Sequence, residues 1–450
     1  MGQTEGRHKS QEKERAGHLG EDETHPATGV GVVIGDILRF GLNNLGWHPP
    51  SLEKRLTPAL VLWMIFGLVF TLGLPRPARS QESTKPSAII KCEFVNSHIY
   101  LPAVINGSKV WLLLDTGATS SILDKQTADS FHLSSGPDDV HNLSLNVGGI
   151  LTPKEPFSVR TMHLANGQFD GHPFDGLLGN DFLKRFAVDI DLSAGEIRLY
   201  DEASYRFPAH AAIVDLKMLD DGDGGIDPTV SASIVPLQHG NPVQGSFILD
   251  TGARPDIFFT IPFIDAHKLR EETGDLVDLL ASGGASVKKQ IVGNGRLARL
   301  VVGNADIESP LAGFPSDPHG PFSTNEFDGV IGEGVLQRYR VIFDYKRSQM
   351  GLLPRIGYKG PLRDCSGVTV IAEGQDLHQY TVTYVVPNSP AAEAGIAEGD
   401  EIVSVGGTAI RNLSLQNIRD SLSRPGDVVT IVCKRSSHLY SYNLRLKAYV

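Results

Sequence analysis

Two short stretches of this chain repeat one another, and each ends an apolar run in a carboxylate followed at once by a turn. The first is Val110-Trp111-Leu112-Leu113-Leu114-Asp115-Thr116-Gly117-Ala118. The second, its aspartate 135 residues on, is Gly245-Ser246-Phe247-Ile248-Leu249-Asp250-Thr251-Gly252-Ala253. A run of about five residues bounded by turn formers is too short for a helix and predicts a buried strand. Asn106-Gly107 precedes the first and Gly240-Asn241 the second. Each strand is therefore expected to be the return arm of a hairpin, with Ile99 to Ile105 and Val230 to Val235 as outgoing arms. Glycine directly after Asp-Thr lets the backbone turn sharply and bring its amide towards the carboxylate. A repeat of this length predicts two related lobes.

The copies match again downstream. Phe174-Asp175-Gly176-Leu177-Leu178-Gly179 corresponds to Phe327-Asp328-Gly329-Val330-Ile331-Gly332, and the next apolar strand ends at Asp191 in one copy and Asp344 in the other, each 16 residues on. Ile197-Arg198-Leu199 and Met350-Gly351-Leu352 then close the lobes. Over residues 95 to 355 this doubled pattern resembles the retropepsin and pepsin clan of aspartic proteases, whose lobes each carry Asp-Thr-Gly and, later, two apolar residues followed by glycine. The resemblance implies a mainly β, bilobal β-barrel fold in which Asp115 and Asp250 meet as a catalytic pair. It implies that Thr116 and Thr251 cross-link the lobes and that Gly117 and Gly252 supply nearby amides. Ala118 and Ala253 follow the retropepsin pattern, without the hydroxyl that often bonds the aspartate in pepsin-like enzymes; this implies activity under mildly rather than strongly acidic conditions. Polypeptide substrates are implied, with no cofactor and no metal.

The lobes differ in length. Leu145-Asn146-Val147-Gly148 and Leu300-Val301-Val302-Gly303 look equivalent, yet these glycines lie 33 and 53 residues after their aspartates. The extra segment in lobe 2 includes Ala281-Ser282-Gly283-Gly284-Ala285, which predicts a flap hairpin tipped by Gly283 and Gly284. A rival register sets Gly148-Gly149 against Gly283-Gly284. Arg254 follows the second motif; close to Asp250 it would favour the charged carboxylate and impair proton sharing, whereas pointing to solvent it would do neither.

Around this core the chain divides unevenly. Residues 1–55 are polar, without periodicity, and predict disorder. Within 56–80, the uncharged run Ala59 to Leu74 follows Lys54-Arg55 and precedes Ala78-Arg79-Ser80. Two readings of it stand: a signal peptide cleaved before Gln81, or a retained membrane anchor. Either implies export to a periplasmic or extracellular location. A net charge of −11 without a Lys/Arg stripe excludes a general nucleic-acid binder. Three cysteines, Cys92, Cys365 and Cys433, allow one disulfide at most. Asp221-Gly222-Asp223-Gly224-Gly225 lacks the closing glutamate of a calcium loop and reads as a solvated turn.

Lobe 1 is expected over 88–203 and lobe 2 over 204–356, with a linker of about ten residues leading to a small α+β domain over 365–450. There, Tyr380 to Val386 is followed by Pro387-Asn388-Ser389-Pro390, a short helix capped by Ser389 and ended by Gly395, the strand Glu401 to Val405, a Gly406-Gly407 hairpin, and one apolar helical face of Leu415, Ile418 and Leu422. This resembles a PDZ domain of the type found in exported bacterial proteases, which adds an extended peptide ligand to a sheet edge beside a helix. Gln375 to Gln379, read as the loop that would capture a terminal carboxylate, lacks glycine and carries Asp376. Taken together, the leading expectation is an exported aspartic endopeptidase with a peptide-binding domain. A catalytically silent bilobal peptide binder or scaffold is the alternative.

Overall fold

The computed structural model describes residues 85–133, 136, 139–162, 167–222, 224–238, 240–281 and 290–449. The N-terminal stretch 1–55, the run 59–74 and the flap glycines Gly283 and Gly284 lie outside the described residues. Among the described residues, no helix is long and apolar enough to cross a membrane.

Both expected hairpins form. His98–Ile105 pairs antiparallel with Ser108–Leu114, and Ile226–Val235 with Val243–Asp250. Their inward faces, including Leu101, Leu112, Leu114, Phe247 and Leu249, are buried in one continuous core. The later motifs enter each sheet beside the return arm, parallel to it: Gly176–Leu178 against Leu112 to Leu114, and Gly329–Gly332 against Phe247 to Asp250. Their first glycine has a steric cause. A Cβ at Gly176 would lie 2.2 Å from the Ile122 carbonyl oxygen, and one at Gly329 would lie 2.1 Å from that of Phe258, because a further strand pairs with each motif. The aspartate before each glycine accepts a strand amide, Asp175 from Trp111 N and Asp328 from Ser246 N, both at 2.7 Å.

The pairing decides between the two registers. Val147 faces Ala103 and Val302 faces Ala232, the same place in each hairpin, and the glycines that follow have matching φ values of +59° and +58°. Gly148 is thus the counterpart of Gly303, not of Gly283. The surplus of lobe 2 includes the strand Val277–Ala281, which pairs antiparallel with Gln290–Arg296; residues 282–289 lie outside the described residues. The lobes share a third sheet in the order Ala88–Lys91, Glu196–Tyr200, Ala187–Asp191, Tyr339–Asp344, Gln349–Pro354, Ala212–Asp215. At its centre Asp189 is fully buried and receives Arg340 Nε at 2.7 Å across the lobe boundary.

In the C-terminal domain Ser389 caps the helix Pro390–Ala394, Gly395 ends it at φ +89°, and Leu415, Ile418 and Leu422 are buried. One expectation is corrected. The edge strand packed beside the helix Leu415–Ser421 is Val368–Glu373, whereas Gln379–Val385 lies one strand further in. The loop entering the groove strand is therefore Asp364 to Gly367, and Asp376 belongs to the turn at the strand's far end. All three cysteines are free thiols.

Candidate active site

Asp115 stands just past the end of one strand and Asp250 ends the other, both half-buried where the lobes meet. Beneath them Thr116 and Thr251, fully buried, close a ring. Thr116 N donates to Thr251 Oγ1 at 3.0 Å and Thr251 N to Thr116 Oγ1 at 3.1 Å. Each hydroxyl in turn donates to the opposite strand, Thr116 to Leu249 O at 2.7 Å and Thr251 to Leu114 O at 2.8 Å. The glycine amides fix the carboxylates: Gly117 N donates to Asp115 Oδ1 at 2.9 Å, and Gly252 N to Asp250 Oδ1 at 2.6 Å. Neither glycine can carry a side chain. A Cβ at Gly117 would sit 2.3 Å from Asp250 Cγ, and one at Gly252 would sit 2.7 Å from Asp115 Cγ. The structure thus brings together all eight motif residues, with Ala118 and Ala253 beginning the turns beyond.

Burial, and then the neighbouring charge and hydrogen bond of Asp250, push the Asp115 carboxyl well above its ordinary range. Asp250 is also raised by burial, but the hydrogen bond from Asp115, the Gly252 amide and the His98 ring oppose the shift. The pair therefore retains one proton, shared between the two carboxylates.

A second layer was not singled out from the motifs. Continuing the hairpin registers, in which Tyr100 faces Leu113 and Thr229 faces Ile248, sets His98 across from Asp115 and Asp227 across from Asp250. Asn180 and Glu333 are likewise equivalent, each following the motif's last glycine. Asn180 Nδ2 donates to Thr116 O at 2.8 Å and to Asp227 Oδ1 at 3.2 Å, while its Oδ1 accepts Tyr345 OH at 2.8 Å. Asp227 is pushed up to about 7, chiefly by burial. Glu333 is buried with Oε2 unpartnered, and burial followed by the charge of Asp250 raises it well above the ordinary carboxyl range. Counting back from the hairpin turns would have found His98 and Asp227.

Arg254 is engaged by neither of the partners expected for it. Its Nη2 donates to Asp170 Oδ1 at 2.7 Å, and its guanidinium lies 4.7 Å from the Phe169 ring centre. Asp170 also accepts Asn96 Nδ2 at 2.8 Å, Tyr100 OH at 2.5 Å and His98 Nδ1 at 2.7 Å. Burial alone would raise Asp170, but Arg254, His98 and Tyr100 together hold it far below the usual carboxylate range. The other ring nitrogen of His98 meets Gly252 O at 2.9 Å.

Beside the edge strand Val368–Glu373 runs a groove of about 380 Å³, bounded by Ile418, Arg419 and Leu422 on one side and by Phe94 and Phe169 of lobe 1 on the other. The amides at its head are already taken. Asp364 accepts Gly367 N at 2.6 Å and Ser366 N at 3.2 Å, together with Ser366 Oγ and Tyr449 OH.

The aspartyl protease family model matches residues 101–182, and the PDZ domain model matches residues 381–435. Among solved structures, the aspartic proteinase from Irpex lacteus aligns at 13% identity over 60% of this chain and 97% of its own, with a TM-score of 0.37. The photosystem II D1 C-terminal processing protease aligns at 26% identity over 19% of this chain and 24% of its own, with a TM-score of 0.18. No curated protein sequence matches. The two family models thus match an aspartyl protease domain within the first of the paired lobes and a PDZ domain within the C-terminal domain.

Proposed function

We propose that the protein is an aspartic endopeptidase that hydrolyses polypeptide substrates with a water activated between Asp115 and Asp250. The observation that carries this reading is the ring of hydrogen bonds through Thr116 and Thr251, which sets two carboxylates from separate lobes face to face. Charged Asp250 takes a proton from the water as its oxygen attacks the peptide carbonyl carbon, while protonated Asp115 donates a hydrogen bond to the carbonyl oxygen. When the tetrahedral species collapses, the proton on Asp250 passes to the departing nitrogen and the C–N bond breaks. The PDZ groove receives an extended internal segment of a substrate or partner along Val368–Glu373; at its head Asp364 already occupies the Ser366 and Gly367 amides that a free terminal carboxylate would need. The run Ala59 to Leu74 with its basic flank supports export to a periplasmic or extracellular location, with attachment to the membrane where it is retained.

Asp115→Asn and Asp250→Asn, made separately in the full chain, are each expected to abolish cleavage of an unstructured protein, followed by mass spectrometry of the products. Mixing the two variants restores nothing, because both carboxylates come from one chain. Wild-type rates in either variant would overturn the reading.

A further inference from the structure

The helix Leu415–Ser421 of the PDZ domain does not merely border the groove; it grips the buried cluster that sits behind Asp250. Arg419 Nη2 donates to Phe169 O, Nη1 reaches Asp170 O at 3.4 Å, and the guanidinium lies 5.4 Å from the Phe169 ring centre. The neighbouring backbone is pressed against the same helix. Gly171 has φ +70°, and a Cβ there would lie 2.8 Å from Leu415 Cβ. Gln416 Oε1 accepts Asn96 N at 3.2 Å, so the helix holds the segments on both sides of the Asp170 carboxylate.

From that carboxylate the path to the dyad is one side chain long. His98 is wholly buried, with Nδ1 against Asp170 and Nε2 against Gly252 O, so both ends of the ring are fixed. Gly252 gives its amide to Asp250 and packs its bare Cα against Asp115. A small displacement of Gly252 would therefore alter both carboxylates at once.

We propose that Arg419 is a positioning residue for the dyad: by holding Phe169 and Asp170 it seats His98 against Gly252, so the PDZ domain sets the geometry of the Asp250 loop. The kinetic arm of this inference rests on the protease reading; the structural arm does not. Reaction rates fall steeply when a reacting group is misplaced by a fraction of its contact distance, whereas binding along a long cleft is spread over many contacts.

The test uses the full chain and a peptide too short to reach the PDZ groove. Arg419→Ala is expected to lower kcat about tenfold with KM changed less than about twofold. Arg419→Lys, which keeps the charge but cannot fork across two carbonyls, should fall between the two. Independently of activity, hydrogen exchange of amides in 246–257 should speed up in Arg419→Ala while the PDZ strand Val428–Arg435 keeps its protection. Unchanged kcat per folded molecule together with unchanged exchange in 246–257 would overturn the proposal, even if the melting temperature fell. If Arg419→Ala loosens the PDZ strand too, Arg419→Lys decides by the same exchange criterion. A wild-type chain that cleaves nothing would fail the protease reading alone, and the exchange measurements would still settle whether Arg419 holds the loop.

Discussion

The two lobes present the same motif and surround it differently. Where a residue must touch its own counterpart across the interface, as Thr116 touches Thr251, the copies are identical and the geometry is nearly twofold. One layer out the constraint lapses: His98 stands where lobe 2 has Asp227, Asn180 where it has Glu333, and Thr119 where it has Arg254. The substitutions act across the boundary. The histidine of lobe 1 sits at Gly252 and favours the charged form of Asp250, while the aspartate of lobe 2 raises the proton affinity of Asp115. Two chemically equal carboxylates thereby sit in unequal surroundings, each with a neighbour from the opposite lobe.

The largest test of this asymmetry is at the fourth position past each aspartate. Arg254→Ala removes the main cation from a fully buried carboxylate and is expected to cost about 3–5 kcal/mol at pH 7 in urea unfolding. Thr119→Ala, its counterpart, should stay within about 0.5 kcal/mol. The depressed Asp170 contributes stability above the ordinary carboxyl pKa and gives it up as pH falls towards its folded value. The Arg254→Ala deficit should therefore shrink in acid; equal costs for the two variants would refute the asymmetry.

A smaller effect is expected at Asp227. A carboxyl raised to about 7 leaves stability intact below the ordinary pKa, erodes it as pH climbs from there towards 7, and costs nothing further above it. Asp227→Asn should thus gain on the order of 1 kcal/mol at pH 7.5, allowing for partial exposure, and nothing at pH 4. Thermal melts at the two pH values check this, and a gain that is the same at both would mean the group does not titrate as described. The smallest change is expected for Glu333→Gln. Its acid is already neutral, so at pH 5 stability should move by less than about 0.5 kcal/mol; a large loss there would show a charged, engaged carboxylate instead.

Much of the site was legible because the motifs encode backbone geometry. Asp-Thr-Gly and Asp-Gly followed by two apolar residues and Gly record a turn, a close approach and a strand crossing, each of which demands its residue type. The register of Leu145 against Leu300 was also legible, since it rests on a strand and not on a glycine pair. Arg254 was not: its place in the sequence left Asp250 and solvent both open, and its partner Asp170 lies in a segment that no lobe 2 motif mirrors. The groove strand was misplaced for a similar reason. Val368 to Ala372 and Tyr380 to Val385 are both apolar strands, and which of them borders the helix is a matter of pairing that composition does not carry.

The sheet shared between the lobes has a consequence for how the chain is made. The strand Ala187–Asp191 is complete 148 residues before the start of its partner Tyr339–Asp344. At ribosomal speeds of about 5–20 residues per second, its edge waits for roughly 7–30 s with no strand to cover it. Asp189 lies at the middle of that strand with Arg198 of lobe 1 at 3.8 Å, and a foreign strand without an arginine at the matching place would leave both its buried oxygens without the hydrogen bonds that Arg340 supplies. Among the described residues, Arg340 makes both side-chain hydrogen bonds to that carboxylate, and it arrives with the second lobe's own strand. The pair with Arg340 thus favours the second lobe's own strand over a foreign one at that waiting edge.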